Sequence, residues 1–198
     1  MQKVLPLIFL LLLIFGLAAV GGNPNGNNNG NTSATKDRSV GQVKWLTLDE
    51  AIELHKDEPK KIFVDLYTDW CVWCAKMDKA TFQNPIVAEY INDNFYPVKL
   101  NAETAETLYF RGNEYAFLPE EGRNGLNEIT LFLTRGQLSF PAVVFLDETL
   151  ENPQPVSGFL NPANMDALLK FFGEDYYKNV DWGLFNQLYE SPFSQGEN

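Results

Sequence analysis

Apolar and polar positions divide the chain into three unequal stretches. Val4 to Gly22 carries no charge and includes Leu10-Leu11-Leu12-Leu13-Ile14-Phe15, whereas Asn23 to Ser39 is almost free of apolar residues. From Val40 onward, short apolar segments alternate with polar breaks. Thr47-Leu48-Asp49-Glu50 fits a capping box and predicts a helix from Leu48 to about His55, stopping before Pro59. Ile62-Phe63-Val64-Asp65-Leu66-Tyr67 is nearly continuous in apolar character, which suits a central strand buried on both faces. A helix is predicted from Cys71 to Thr81, and another after Asn84, with Pro85 at its first position. Tyr96 to Leu100 reads as the next strand. Leu108–Phe110 and Tyr115–Phe117 flank Gly112-Asn113 as a hairpin, and Leu126 to Arg135 reads as a helix ended by Gly136. Pro141 opens a buried strand, Ala142–Leu146; a shorter strand, Pro155–Leu160, and a helix, Ala163–Phe172, follow. Residues 182–189 either add one more helix or fray. The order βαβ, then two adjacent strands and a helix, predicts an α/β domain with a central mixed β-sheet flanked by helices.

The two leading stretches change the expected location of the domain. A basic start at Lys3, an apolar run and the small residues Ala18, Ala19, Gly21 and Gly22 read as a secretory signal peptide over residues 1–22. The alternative is an uncleaved anchor, because the uncharged run almost suffices to span a bilayer. Residues 23–39, rich in Asn, Gly and Ser, cannot bury enough surface to offset ordering entropy and read as a disordered linker. The domain then occupies 40–173, with 174–198 as a C-terminal extension. These features predict a periplasmic or secreted protein, with membrane attachment through the N-terminal segment if the signal stays in place.

A net charge of -11 repels phosphate backbones and argues against a nucleic-acid partner. Of the two cysteines, Cys71 and Cys74, three positions apart, neither can contribute to a disulfide framework, and their loop is too short to stabilise much through chain entropy. The pair is therefore read as reactive. Trp70-Cys71-Val72-Trp73-Cys74 falls at a predicted strand-to-helix junction, where free amides and the helix dipole favour a thiolate. Cys71 is the expected exposed nucleophile, and Cys74, one turn in, the thiol that resolves a mixed disulfide. A structural zinc needs four ligands and the chain offers two thiols and His55; covalent haem needs a His where Ala75 stands. No metal and no organic cofactor are expected. An incidental pair is the bland alternative.

Asp65 interrupts its apolar strand. Burial raises a carboxyl pKa, so Asp65 reads as a proton shuttle to Cys74, against the alternative of a solvated group at the strand's end. Trp70 and Trp73 read as an apolar docking surface beside the thiol, Trp70 serving packing as much as binding. His55, the only histidine, reads as a solvated helix-face residue.

Phe63 to Cys74, followed by Lys76-Met77-Asp78 and Thr81-Phe82, resembles the active-site strand and loop of bacterial exported thioredoxin-like proteins. The resemblance covers about Val43 to Phe172. It implies a thioredoxin-like fold, a nucleophilic Cys71, a resolving Cys74, a buried acid at Asp65 and a cis-proline at Pro141. Phe140 would then line the groove where a substrate backbone docks. Val72-Trp73 replaces the Gly-Pro pair of ordinary thioredoxin, and Ala102 to Ser139 is longer than usual, which implies an inserted hairpin and helix before the cis-proline. The expected activity is thiol–disulfide exchange, in the reductase direction, on disulfides of exported proteins, with a thiol protein upstream as electron donor. The rivals are a non-catalytic binding module holding a structural disulfide, and a redox sensor.

Overall fold

The computed structural model describes residues 41–193, so the predicted signal and linker lie outside the described residues. The fold is the expected α/β arrangement. Helix α1 (Leu48–Asp57) precedes β1 (Ile62–Tyr67), α2 (Val72–Met77), α3 (Pro85–Asn94) and β2 (Tyr96–Asn101). Two small ladders follow, β3 (Leu108–Phe110) with β4 (Asn113–Tyr115), and β5 (Phe117–Leu118) with β6 (Leu126–Asn127). Then come α4 (Glu128–Leu133), β7 (Ala142–Leu146), β8 (Gln154–Ser157), α5 (Pro162–Gly173) and α6 (Trp182–Leu188).

The four-stranded sheet runs β2-β1-β7-β8, with β1 parallel to β2 and antiparallel to β7. Because successive side chains on a strand point to opposite faces, β1 feeds two separate cores. Phe63 joins Met77, Phe82, Ile91, Phe145 and Leu169 beneath α2, α3 and α5. Ile62, Val64 and Leu66 join Leu48, Ala51, Ile129 and Leu133 beneath α1 and α4. Asp65, two positions from Phe63, shares the face that α2 covers.

Both open edges of the sheet are managed. Leu46 bridges the outer side of β2, its amide donating to the Pro97 carbonyl at 2.8 Å. On the other side, the Gly158 amide donates to the Pro141 carbonyl at 2.8 Å. Ladder alternation then makes Val143–Val156 the next hydrogen-bonded pair and turns Pro155 away from β7.

Most elements lie within a residue or two of their predicted bounds; the region before Pro141 differs. The first hairpin turns at Arg111-Gly112, with φ of 51° and 74°, and pairs Phe110 with Asn113. Two consecutive left-handed residues match a two-residue hairpin turn, so the turn lies one position earlier than predicted. Leu126 and Asn127 pair with β5 rather than starting the helix, and Asn127 caps α4 through its side chain. The C-terminal residues form a helix that packs: Phe185 is buried against Phe171, ring centroids 5.1 Å apart. Tyr189 and Ser191 both donate to Asp166 Oδ2, at 2.7 and 2.8 Å.

Candidate active site

Cys71 is the N-cap of α2, as the strand-to-helix reading requires, and its Sγ accepts a hydrogen bond from the Cys74 amide at 3.1 Å. The helix does not end at Met77; a π turn over Asp78–Phe82 continues it, so the amide end at Cys71 belongs to a longer helical run. The two cysteines form a disulfide with their Cα atoms 5.3 Å apart. Once it is reduced, the amide now bonded to Cys71 Sγ is in place to stabilise a thiolate there. Exposure does not separate the two cysteines as expected: Cys71 is 7% exposed and Cys74 5%. The bond itself accounts for part of this, because each sulfur shields the other.

Asp65 is buried, and burial pushes its carboxyl up to about 6 against the opposing pull of Lys99. Lys99 was not legible as a site residue. It arrives because β2 runs parallel to β1 with Asp65 opposite Lys99. Its ammonium donates to Asp65 Oδ2 at 2.9 Å and to Asp78 Oδ1 at 2.5 Å, and lies 5.1 to 5.2 Å from the ring centroids of Tyr67 and Trp45. Burial alone would lower the Lys99 ammonium, but the two carboxylates hold it above the usual lysine value. Asp65 Oδ1 has no hydrogen-bond partner among the described residues. A groove of about 290 Å³, lined by Trp45, Asp78, Phe82 and Lys99 among others, opens this chain of groups to solvent. The one sequence signal for Lys99 was a charge between the buried Val98 and Leu100, the same anomaly that marked Asp65.

Trp70 precedes the disulfide in the chain and Trp73 lies between its two cysteines, at 40% and 53% exposure. Trp70 meets Phe140 edge to face, centroids 6.2 Å apart, and Trp73 meets Phe159 at 5.5 Å. The Phe140–Pro141 bond is cis. Phe140 is thereby tied to the motif through Trp70, while Pro141 leads directly into β7 beside β1. The inserted region reaches the same surface. Trp70 Nε1 donates to Glu103 Oε1 at 2.7 Å, Asn124 Nδ2 donates to both Glu103 oxygens, and the Arg123 guanidinium lies 5.0 Å from the Trp70 ring centroid. Sequence reasoning identified the insertion but none of these three residues, since their contact depends on where the β5–β6 loop lands. His55 lies elsewhere, its Nδ1 facing the Lys60 carbonyl at 2.8 Å in the turn before β1.

Comparison with known proteins places this site in context. The sequence pattern of a family described as thioredoxin-like matches residues 44–148, more than half of the chain. The thiol:disulfide interchange protein DsbD of Escherichia coli is 28% identical over 132 residues, covering 65% of this chain and 20% of that protein. DsbD of Salmonella typhi is 27% identical over 143 residues, covering 71% of this chain and 22% of its own length. The chain thus spans about a fifth of the length of these relatives. Among solved structures, a thioredoxin-fold protein from Helicobacter pylori aligns with a TM-score of 0.47 and 17% identity, over 65% of this chain and 79% of that one.

Proposed function

The chain belongs to the thioredoxin-like oxidoreductase family, with Cys71 and Cys74 as its Cys-x-x-Cys pair, and we propose that it reduces disulfides in exported proteins. The observation that carries this is the position of Cys71 at the opening of a helix, with Cys74 one turn behind and bonded to it. In the reduced enzyme the Cys71 thiolate attacks one sulfur of a partner's disulfide, and the partner's other sulfur leaves as a thiolate. Cys74, deprotonated, then attacks Cys71 Sγ; the second partner thiolate leaves and the enzyme disulfide of this structure forms. Two electrons pass to the partner, and a dithiol donor must restore them in an oxidising compartment. The DsbD relatives, named for thiol:disulfide interchange, support exchange chemistry.

Asp65 has the protonation range for the second attack. Pushed up to about 6 by burial, its carboxylate is the base that takes the Cys74 proton, while Lys99, held as an ammonium by Asp65 and Asp78, orients that carboxylate beside the solvent-facing groove. The N-terminal segment serves as the export signal or tether in this reading.

The test uses the full-length chain with dithiothreitol and a model protein disulfide. Cys71→Ser should abolish reduction, and Cys74→Ser should accumulate mixed disulfides through Cys71. Wild-type rates in Cys71→Ser would overturn the mechanism. The near-complete burial of both cysteines favours one second reading, a binding module with a structural disulfide. A reduction potential below about -300 mV would select it.

A further inference from the structure

Each tryptophan of the active-site motif carries a cation. Arg123 lies over Trp70 at 5.0 Å, and Lys76 lies over Trp73 at 4.1 Å. Both cations are exposed, and neither makes an ion pair among the described residues, although the chain carries a net charge of -11. Two carboxylates, one bonded to Trp70 and one next to it in the chain, accept from neutral donors. Glu103 accepts from the Trp70 indole and the Asn124 amide, and Asp69 accepts from Asn101 at 3.2 Å. Arg123, next to Asn124 in sequence, thus bypasses the acid that its neighbour binds.

The loop that carries Arg123 is fixed in its path. Gly125 has φ +88°, and a Cβ there would lie 2.0 Å from the Phe117 ring, so the backbone is pressed against β5. Asn124, the residue after Arg123, donates to Glu103, which also accepts from the Trp70 indole. The guanidinium is therefore held over the indole from the insertion, while Lys76 is held over the other indole from within α2.

We propose that Arg123 and Lys76 are specificity-determining residues, two cationic posts over the two tryptophans of the Cys-x-x-Cys motif that select a partner polypeptide with acidic side chains flanking its cysteine. The inference rests on the exchange reading above, and it names the partner's chemistry. A carboxylate arriving at either post gains an ion pair at a site where an indole already removes water from one side of the cation.

The experiment uses the full-length chain and two sets of peptides with acidic, neutral or basic residues around one position. In the first set that position is a disulfide-bonded Cys, and reduction is followed with dithiothreitol present. In the second it is Ser, and binding is measured without reaction. Surface ion pairs of ordinary strength predict that acidic peptides are reduced about threefold or more faster (as kcat/KM) than basic ones at low salt, with the difference fading at high salt. Arg123→Ala with Lys76→Ala should remove the preference, Arg123→Glu with Lys76→Glu should reverse it, and Arg123→Lys should keep it. Equal rates for acidic and basic peptides in the wild type, or equal loss for both in the double alanine variant, would overturn the inference while exchange itself stands. Charge-selective binding of the Ser peptides without any reduction of the Cys peptides would uphold the posts and sink the exchange reading.

Discussion

The Asp65 carboxyl titrates at about 6 inside the fold, against 3.8 for an ordinary aspartate. Between those values the folded chain holds a proton that the unfolded chain has released. Stability from this group is therefore fully present below about pH 4 and lost as pH rises through 6. The difference in unfolding free energy between wild type and Asp65→Asn should shift by about 2 kcal/mol against the wild type from pH 4 to pH 8. Urea titrations at several pH values measure it, and a pH-independent difference would show that Asp65 does not titrate in this range. The sequence revealed this acid because one charge broke an apolar run. It did not reveal the partnership with Lys99 and Asp78, since strand register joins the first pair and a helix laid over the sheet joins the second.

Elements with a strong local signal fall where the residues place them. Thr47 and Glu50 close the capping box of α1 in both directions, and Asn84 and Asn161 accept from helix amides just before Pro85 and Pro162. The β5–β6 ladder had no such signal. Its strands are two residues long and pair across a loop, so neither periodicity nor turn chemistry marks them. Asn127 holds that region together. Its side chain accepts from Ile129 N at 3.1 Å and donates to the Glu106 carbonyl at 2.8 Å, and it is fully buried. Asn127→Ala removes a helix cap and the donor to the Glu106 carbonyl, and should lower stability by on the order of 2 kcal/mol. Chemical denaturation would measure the loss, and a change below about 1 kcal/mol would show that water replaces the amide.

Across the whole described molecule, the C-terminal residues belong to the same core as the active-site helix. Phe185 of α6 packs on Phe171 of α5, and the core they join also contains Met77 of α2 and Phe82. Phe185→Ala should cost about 3 kcal/mol in a single unfolding transition. A biphasic transition would instead show that α6 detaches before the rest unfolds. The sequence left this segment open between a helix and a frayed end, because whether an amphipathic tail packs depends on a receiving surface that only the assembled α5 provides.

Pro155 sets a limit on how the sheet can grow. A strand from another chain laid beside β8 would look for an amide at that position and find a ring nitrogen with no hydrogen, so the regular rung spacing breaks there. The opposite border is already occupied by the chain's own Leu46. With both borders guarded, a strand of a partner polypeptide finds no open row of amides and carbonyls on this frame along which to add.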